Sequence, residues 1–204
     1  MRIGVLALQG DYVENIEILR KVMNMKGYSG TAIAIKDKSS LDGIDGLVIP
    51  GGESTVIGRL LEKSGMFEKL RDRIENGLPT LGICAGAILM AKKARDRVVG
   101  ETGQPIIGVM SIGVIRNAFG RQRESFELEV EIGSMGRKIR AAFIRAPAIV
   151  ELWGGSRPLA EIIHNSLGKI TALAQENNMI ASIFHPEITG ETAVHEILVD
   201  LIRR

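Results

Sequence analysis

Thr80-Leu81-Gly82-Ile83-Cys84-Ala85-Gly86 is the stretch on which the reading of this chain turns. A short apolar strand ends at the only cysteine, and a helical run follows over residues 87–93. A sharp strand-to-helix turn pushes its central side chain out of a sheet, and glycines on either side let neighbouring backbone pass without a Cβ clash. The start of a helix also offers unpaired N–H groups and a positive dipole end. Both favour a thiolate, the form of cysteine that attacks carbonyl carbon. A lone cysteine is also often just a small buried hydrophobe, so the nucleophile reading needs company.

Working outward, strand-like and helical runs alternate through the first half. Residues 1–8 read as strand, 12–25 as helix, 31–35 and 46–49 as strands, 55–76 as one or two helices around Gly65, and 80–83 as strand. Such alternation predicts an α/β fold of three layers, a mostly parallel central sheet flanked by helices, with sites at the carboxyl ends of the strands. From residue 106 to 174 the stretches are shorter and alternate, as in Phe126-Glu127-Leu128-Glu129-Val130-Glu131-Ile132, which predicts antiparallel strands added to that sheet. An amphipathic helix over 191–202 closes the chain. No linker, repeat or low-complexity tract interrupts residues 1–204, so one domain is expected.

Of the three histidines, His164 closes an apolar run and His195 falls in the last amphipathic segment; both read as surface or helix-end polarity. His185 follows the strand-like run 180–184 and begins His185-Pro186-Glu187. Proline drives the residue before it toward extended geometry, where residues two apart share a side, so Glu187 can reach back to the ring. A nucleophile, a base and an orienting carboxylate are the parts of a triad: Cys84, His185 and Glu187. Upstream, Ile49-Pro50-Gly51-Gly52-Glu53-Ser54-Thr55 runs from strand into helix. Its adjacent glycines expose N–H groups for an oxyanion or a carboxylate, while Ser54 also suits a helix N-cap. The N–H of Ala85 would complete an oxyanion site with Gly51 and Gly52.

These pieces resemble the triad-type, class I glutamine amidotransferases, which have a flavodoxin-like fold. Over nearly the whole chain the resemblance narrows to the glutaminase subunits of pyridoxal 5′-phosphate synthases. It is carried by Val5-Leu6-Ala7-Leu8-Gln9-Gly10, Pro50-Gly51-Gly52-Glu53-Ser54-Thr55, Arg116-Asn117-Ala118-Phe119-Gly120-Arg121-Gln122, Ser125-Phe126-Glu127, Phe143-Ile144-Arg145-Ala146-Pro147 and Phe184-His185-Pro186-Glu187. The resemblance implies hydrolysis of L-glutamine through Cys84, His185 and Glu187, with glutamine held by Gly52, Glu53, Ser54, Arg116, Ile144 and Arg145. Arginines and a glutamate suit the α-carboxylate and α-ammonium of that substrate. It further implies a separate synthase subunit as ammonia acceptor, in a large hetero-oligomer, and an oxyanion turn that rearranges on docking. One departure stands out: where such chains run on to a Glu-His pair, this one has Glu14-Asn15, which puts a partner contact of the first helix in doubt.

Composition narrows the alternatives. A formal net charge of +2 is too mild for nucleic acid, and the basic clusters at 92–97 and 121–123 lack interleaved aromatics. One cysteine excludes an internal disulfide, no metal-ligand cluster or cofactor motif is evident, and no stretch is long enough to span a membrane. The chain enters strand without an apolar leader, so a cytoplasmic protein is expected, without cofactor or metal. A glutaminase serving another synthase, a non-catalytic subunit retaining the fold, and a cysteine hydrolase acting on peptides or aldehydes remain competing readings.

Overall fold

A computed structural model describes residues 1–120 and 125–204 of the chain. Its centre is a run of short, wholly apolar strands. β1 (Arg2–Leu6), β2 (Thr31–Ile35), β3 (Gly46–Ile49), β4 (Thr80–Ile83) and β12 (Met179–Ser182) lie in the order β2-β1-β3-β4-β12, all parallel to their neighbours. Every residue of β3, β4 and β12 is buried, as a strand covered on both faces must be. Helix α1 (Tyr12–Met25) buries Asn15, Ile18, Leu19, Val22 and Met23, one stripe at helical spacing. It packs on β1, β2 and the last helix, α6 (Ala193–Ile202), which also covers β3 and β4. The crossover from β3 to β4 runs through α2 (Ser54–Lys63) and α3 (Phe67–Glu75). The order reverses between the two crossovers, so right-handed connections put α2 and α3 on the face opposite α1 and α6. The break between α2 and α3 falls at Gly65, whose φ of 67° ends the helix with a left-handed residue that accommodates glycine best.

After β4 the helix is shorter than the sequence suggests. α4 (Ala85–Met90) gives way directly to β5 (Ala91–Asp96), so residues 91–93 are strand, not helix. β5 pairs in parallel with β6 (Met110–Arg116) and forms the outer edge of the sheet. Its Lys92, Lys93 and Arg95 are exposed along that edge, where charge discourages further strand pairing. β9 (Ala148–Leu152) and β11 (Gly168–Glu176) join β6 to β12 through antiparallel pairs, and β10 (Arg157–His164) pairs with β11. The expected added strands are therefore present, with one correction. β7 (Phe126–Ile132) and β8 (Arg137–Phe143) do not join the sheet but form a separate two-stranded ribbon. Phe126 and Phe143 stack across this ribbon at 5.0 Å, and Phe143 meets Phe184 at 5.8 Å. The ribbon thus leans on the residue just before His185. No helix among the described residues is long and apolar enough to cross a membrane.

Candidate active site

Four adjacent parallel strands end on one edge of the sheet. β1 leads to Gln9-Gly10-Asp11, β3 to Gly51-Gly52, β4 to Cys84 and β12 to His185. Parallel alignment alone brings together residues as far apart in sequence as Asp11 and His185.

Cys84 sits at φ 49°, ψ −98°, a left-handed backbone that a non-glycine residue adopts only under constraint. The constraint is steric. A Cβ on Gly82 would lie 2.6 Å from Met90 Sδ and 2.7 Å from the Gly86 carbonyl carbon, and one on Gly86 would run into the Ile49 carbonyl oxygen. The elbow is packed against β3 and α4 with no room for side chains at its flanks.

His185 is buried, and its backbone N–H donates to Ala142 O of β8 at 2.8 Å. Its Nδ1 lies 2.6 Å from Glu187 Oε1 and 3.5 Å from Asp11 Oδ2. Pro186 begins the four-residue helix α5 (Pro186–Thr189), which carries Glu187 back beneath the ring. Burial works against a charged imidazole, but Cys84 and Glu187 outweigh it and hold the His185 pKa well above its ordinary value.

A linked Cys84–His185–Glu187 triad is nevertheless not what the structure contains. The close cluster is Asp11, His185 and Glu187, whose polar atoms all lie within 4.8 Å of one another. Cys84 stands outside it. Its sulfur favours the charged ring, but it is not one of the three groups that gather around His185 Nδ1. The acid partner of the imidazole is a pair of carboxylates, one of which, Asp11, no sequence motif singled out. Its only signal was its place just after Gln9-Gly10 at the end of a strand beside β3. The cluster has the composition of a metal site, but Nδ1 and Oε1 at 2.6 Å are at hydrogen-bond separation, whereas two ligands of one tetrahedral ion stand about 3.3 Å apart.

A cavity of about 280 Å³ opens beside Cys84 and His185. Gly52, Glu53, Ser54, Arg116, Ile144 and Arg145 all line it, together with Gln9, Gly10, Asp11, Ile88, Asn117 and Ile188. Arg116 Nη2 donates to Glu53 Oε1 at 3.1 Å. Arg145, exposed and at φ 45°, makes no ion pair with another described residue. Among the described residues, three of the four non-glycine residues at positive φ, namely Cys84, Asn117 and Arg145, border this one cavity. Ser54 is the first residue of α2 and not its cap; Glu53 holds the cap position, and Ser54 Oγ donates to Gln104 Oε1 at 3.3 Å. Gly51 and Ala85 are not among the residues that line the cavity; a Cβ on Gly51 would run into the His185 ring. Arg121, Gln122 and Arg123 lie outside the described residues.

The other histidines are structural and buried, not surface residues. His164 Nδ1 accepts from the N–H groups of Ser166 and Leu167, and Nε2 donates to Ala118 O at 3.2 Å. His195 is fully buried and bonds Asn15. Asn15 is itself fully buried, bonded to the Asp11 carbonyl and to His195, and is not part of the exposed face of α1.

Comparison with solved structures gives the class to which this architecture belongs. One described as a glutamine amidotransferase superposes with a TM-score of 0.84, at 38% identity and with 99% of each chain covered. PurLQS from Thermotoga maritima shares the fold alone, at TM-score 0.64 and 14% identity over 99% of this chain and 97% of that one. The fold is that of the class I glutamine amidotransferases, a mixed central sheet flanked by helices. The chain belongs to the SNO glutamine amidotransferase family, which it matches over residues 5–204. It is 55% identical to the pyridoxal 5′-phosphate synthase subunit PdxT of Hyperthermus butylicus, over 97% of this chain and 95% of that protein. It is 51% identical to the PdxT of Pyrobaculum aerophilum, with 98% of each covered.

Proposed function

We propose that this chain hydrolyses L-glutamine to L-glutamate and ammonia and passes the ammonia to a separate pyridoxal 5′-phosphate synthase subunit. The observation that carries the reading is the cavity in which a strained Cys84 elbow lies beside an imidazole whose protonated form is favoured, within reach of the Arg116–Glu53 pair. Arg116 and Arg145 suit the α-carboxylate of free glutamine and Glu53 its α-ammonium, with Gly52, Ser54 and Ile144 closing around it.

In this reading Cys84 and His185 act on the substrate from two sides of the cavity. The Cys84 thiolate attacks the side-chain amide carbon, and the oxyanion is met by N–H groups of Ala85 and the Gly51-Gly52 turn. As the C–N bond breaks, the imidazolium of His185 gives its proton to the nitrogen, which leaves as ammonia. The neutral ring then takes a proton from the water that attacks the thioester, and glutamate leaves with the thiolate restored.

Ammonia is largely protonated at neutral pH and is a nucleophile only if it is delivered before reaching solvent. The relatives are named as a subunit of a pyridoxal 5′-phosphate synthase, and we take another subunit of such a synthase as the acceptor. We read residues 1–204 as one glutaminase domain within a large hetero-oligomer. We place it in the cytoplasm, where a free thiol such as Cys84 stays reduced. As the family resemblance implies, hydrolysis by the chain alone is expected to be slow and to rise when the synthase subunit docks. The test is glutamate release from glutamine with and without the synthase subunit. A low rate that rises severalfold on addition supports the proposal; a rate indifferent to that subunit sends the ammonia elsewhere, and no hydrolysis in either case removes the enzyme reading.

A further inference from the structure

Asp11 holds the N-cap position of α1, yet its side chain makes no capping hydrogen bond. An aspartate there ordinarily turns back to accept from the first free N–H groups of the helix. Here the carboxylate points the other way, and Oδ2 lies 3.5 Å from His185 Nδ1. The same oxygen would stand 2.9 Å from a Cβ on Gly51, which would also run into the ring. The Asp11 N–H donates to the Gly51 carbonyl at 3.3 Å. One residue thus touches the ring by its side chain and the glycine turn by its backbone.

Asp11 is itself anchored from behind. Its carbonyl accepts from the Asn15 backbone N–H at 3.3 Å and from Asn15 Nδ2 at 2.7 Å. Asn15 Oδ1 in turn accepts from His195 Nε2 at 2.8 Å, and both side chains are fully buried. The chain of contacts runs from α6 through α1 to the strand ends that form the site. Asn15 thus fixes the main chain of Asp11 through its carbonyl, while the carboxylate is turned to the ring.

We propose that Asp11 is a positioning residue, which holds the His185 ring and the Gly51 turn in one arrangement so that the proton carrier and the oxyanion turn move together. The roles of His185 and Gly51 rest on the glutaminase reading; the contact of Asp11 with the ring does not. The charged and titratable groups around the ring are Glu187 from α5, Asp11 from the loop before α1 and Cys84 from the elbow before α4, with Glu53, Arg116 and Arg145 farther round the cavity. β8 contributes only the Ala142 carbonyl. Removing the Asp11 charge leaves Glu187 in place, so the ring keeps its tautomer and loses part of what favours its proton.

The test is a ring-nitrogen NMR titration of His185 in the full-length chain, wild type against Asp11→Asn, with Asp11→Glu as the charge-conserving variant. Asp11→Ser, a strong N-cap, is read in the same way if Asp11→Asn does not fold. The expected result is a His185 midpoint displaced to lower pH in Asp11→Asn and held near wild type in Asp11→Glu. In the complex with the synthase subunit, kcat for glutamine should fall about tenfold in Asp11→Asn with KM changed less than about twofold. An unmoved midpoint in Asp11→Asn overturns the proposal whatever the rate does. A displaced midpoint in a protein whose wild-type complex hydrolyses no glutamine keeps the contact and removes the glutaminase reading instead.

Discussion

Asn15 Oδ1 and His195 Nε2 lie 2.8 Å apart in the seam between the first and last helices, neither side chain reaching solvent. The bond fixes the tautomer, since Nε2 must carry the proton that Asn15 accepts, and it leaves Nδ1 buried without a partner among the described residues. Burial pushes the His195 pKa down to about 3.

Acid sensitivity follows from that depressed value. Between about 3 and 6.5 the unfolded chain binds a proton at His195 that the folded chain does not, so stability rises with pH across this window and is lost as pH falls through it. The full loss is on the order of 5 kcal/mol once pH is below both values. His195→Gln keeps a donor for Asn15 and cannot titrate, so urea denaturation at a series of pH values should show a flatter acid limb than wild type. An equally steep limb in the variant would assign acid sensitivity to other groups. His185 has the opposite sign: its raised value contributes stability below the ordinary histidine pKa that is lost as pH rises through the folded value.

The backbone at Cys84 predicts a stability difference between two inactive variants. Cys84→Ala and Cys84→Gly both remove the sulfur and should both abolish glutamine hydrolysis. Only glycine relieves the φ of 49°. Cys84→Gly should therefore be more stable than Cys84→Ala by about 1 kcal/mol in chemical denaturation, despite glycine's greater freedom when unfolded. Equal stability would mean that the elbow is not strained.

The sequence was most legible where short apolar runs are bounded by glycine and proline. β2, β3, β4 and α1 fall on the residues expected, because 31–35, 46–49 and 80–83 are each flanked by turn residues and 12–25 carries its apolar stripe at helical spacing. Long-range pairing was not legible. Nothing local marks residues 91–93 as strand; they are drawn out of the helix by pairing with β6. Nor does the alternation at 126–132 reveal that its partner is β8 alone. Gly52, Glu53, Ser54, Arg116, Ile144 and Arg145, which line the cavity, were legible only through the family resemblance. Asp11 was not legible, because its role comes from the neighbouring position of β1 and β3, which a strand reading does not supply. His164 and His195 read as surface or helix-end polarity because a buried imidazole needs partners, and those of the two Nε2 atoms, Ala118 and Asn15, are far away in sequence.

Substrate recognition makes Arg116 a test of binding apart from chemistry. Its guanidinium is largely buried and already fixed by Glu53 at 3.1 Å, so its position in the cavity is set before glutamine arrives. Arg116→Gln should raise the glutamine KM by about tenfold or more while lowering kcat much less, because the α-carboxylate is held equally in ground and transition states. A loss confined to kcat would move Arg116 from binding to chemistry.

Gly86 tests whether the elbow is held by contact with β3. A Cβ at this position would overlap the Ile49 carbonyl oxygen, which is main chain and cannot swing aside as a flexible side chain would. Ile49 is paired with Gly82 across β3 and β4, and two residues later comes the Gly51-Gly52 turn. Room for the methyl group must come from separating β3 from α4, which displaces the turn and the nucleophile in opposite directions. Gly86→Ala should cost more than about 3 kcal/mol in urea denaturation, at the upper end for overpacking a core. Whatever protein folds should hydrolyse glutamine poorly, although no substituted atom touches substrate. A Gly86→Ala protein within about 1 kcal/mol of wild type would mean that the elbow and the turn can separate freely, and the glycine would then not be what holds Cys84 at the mouth of the cavity.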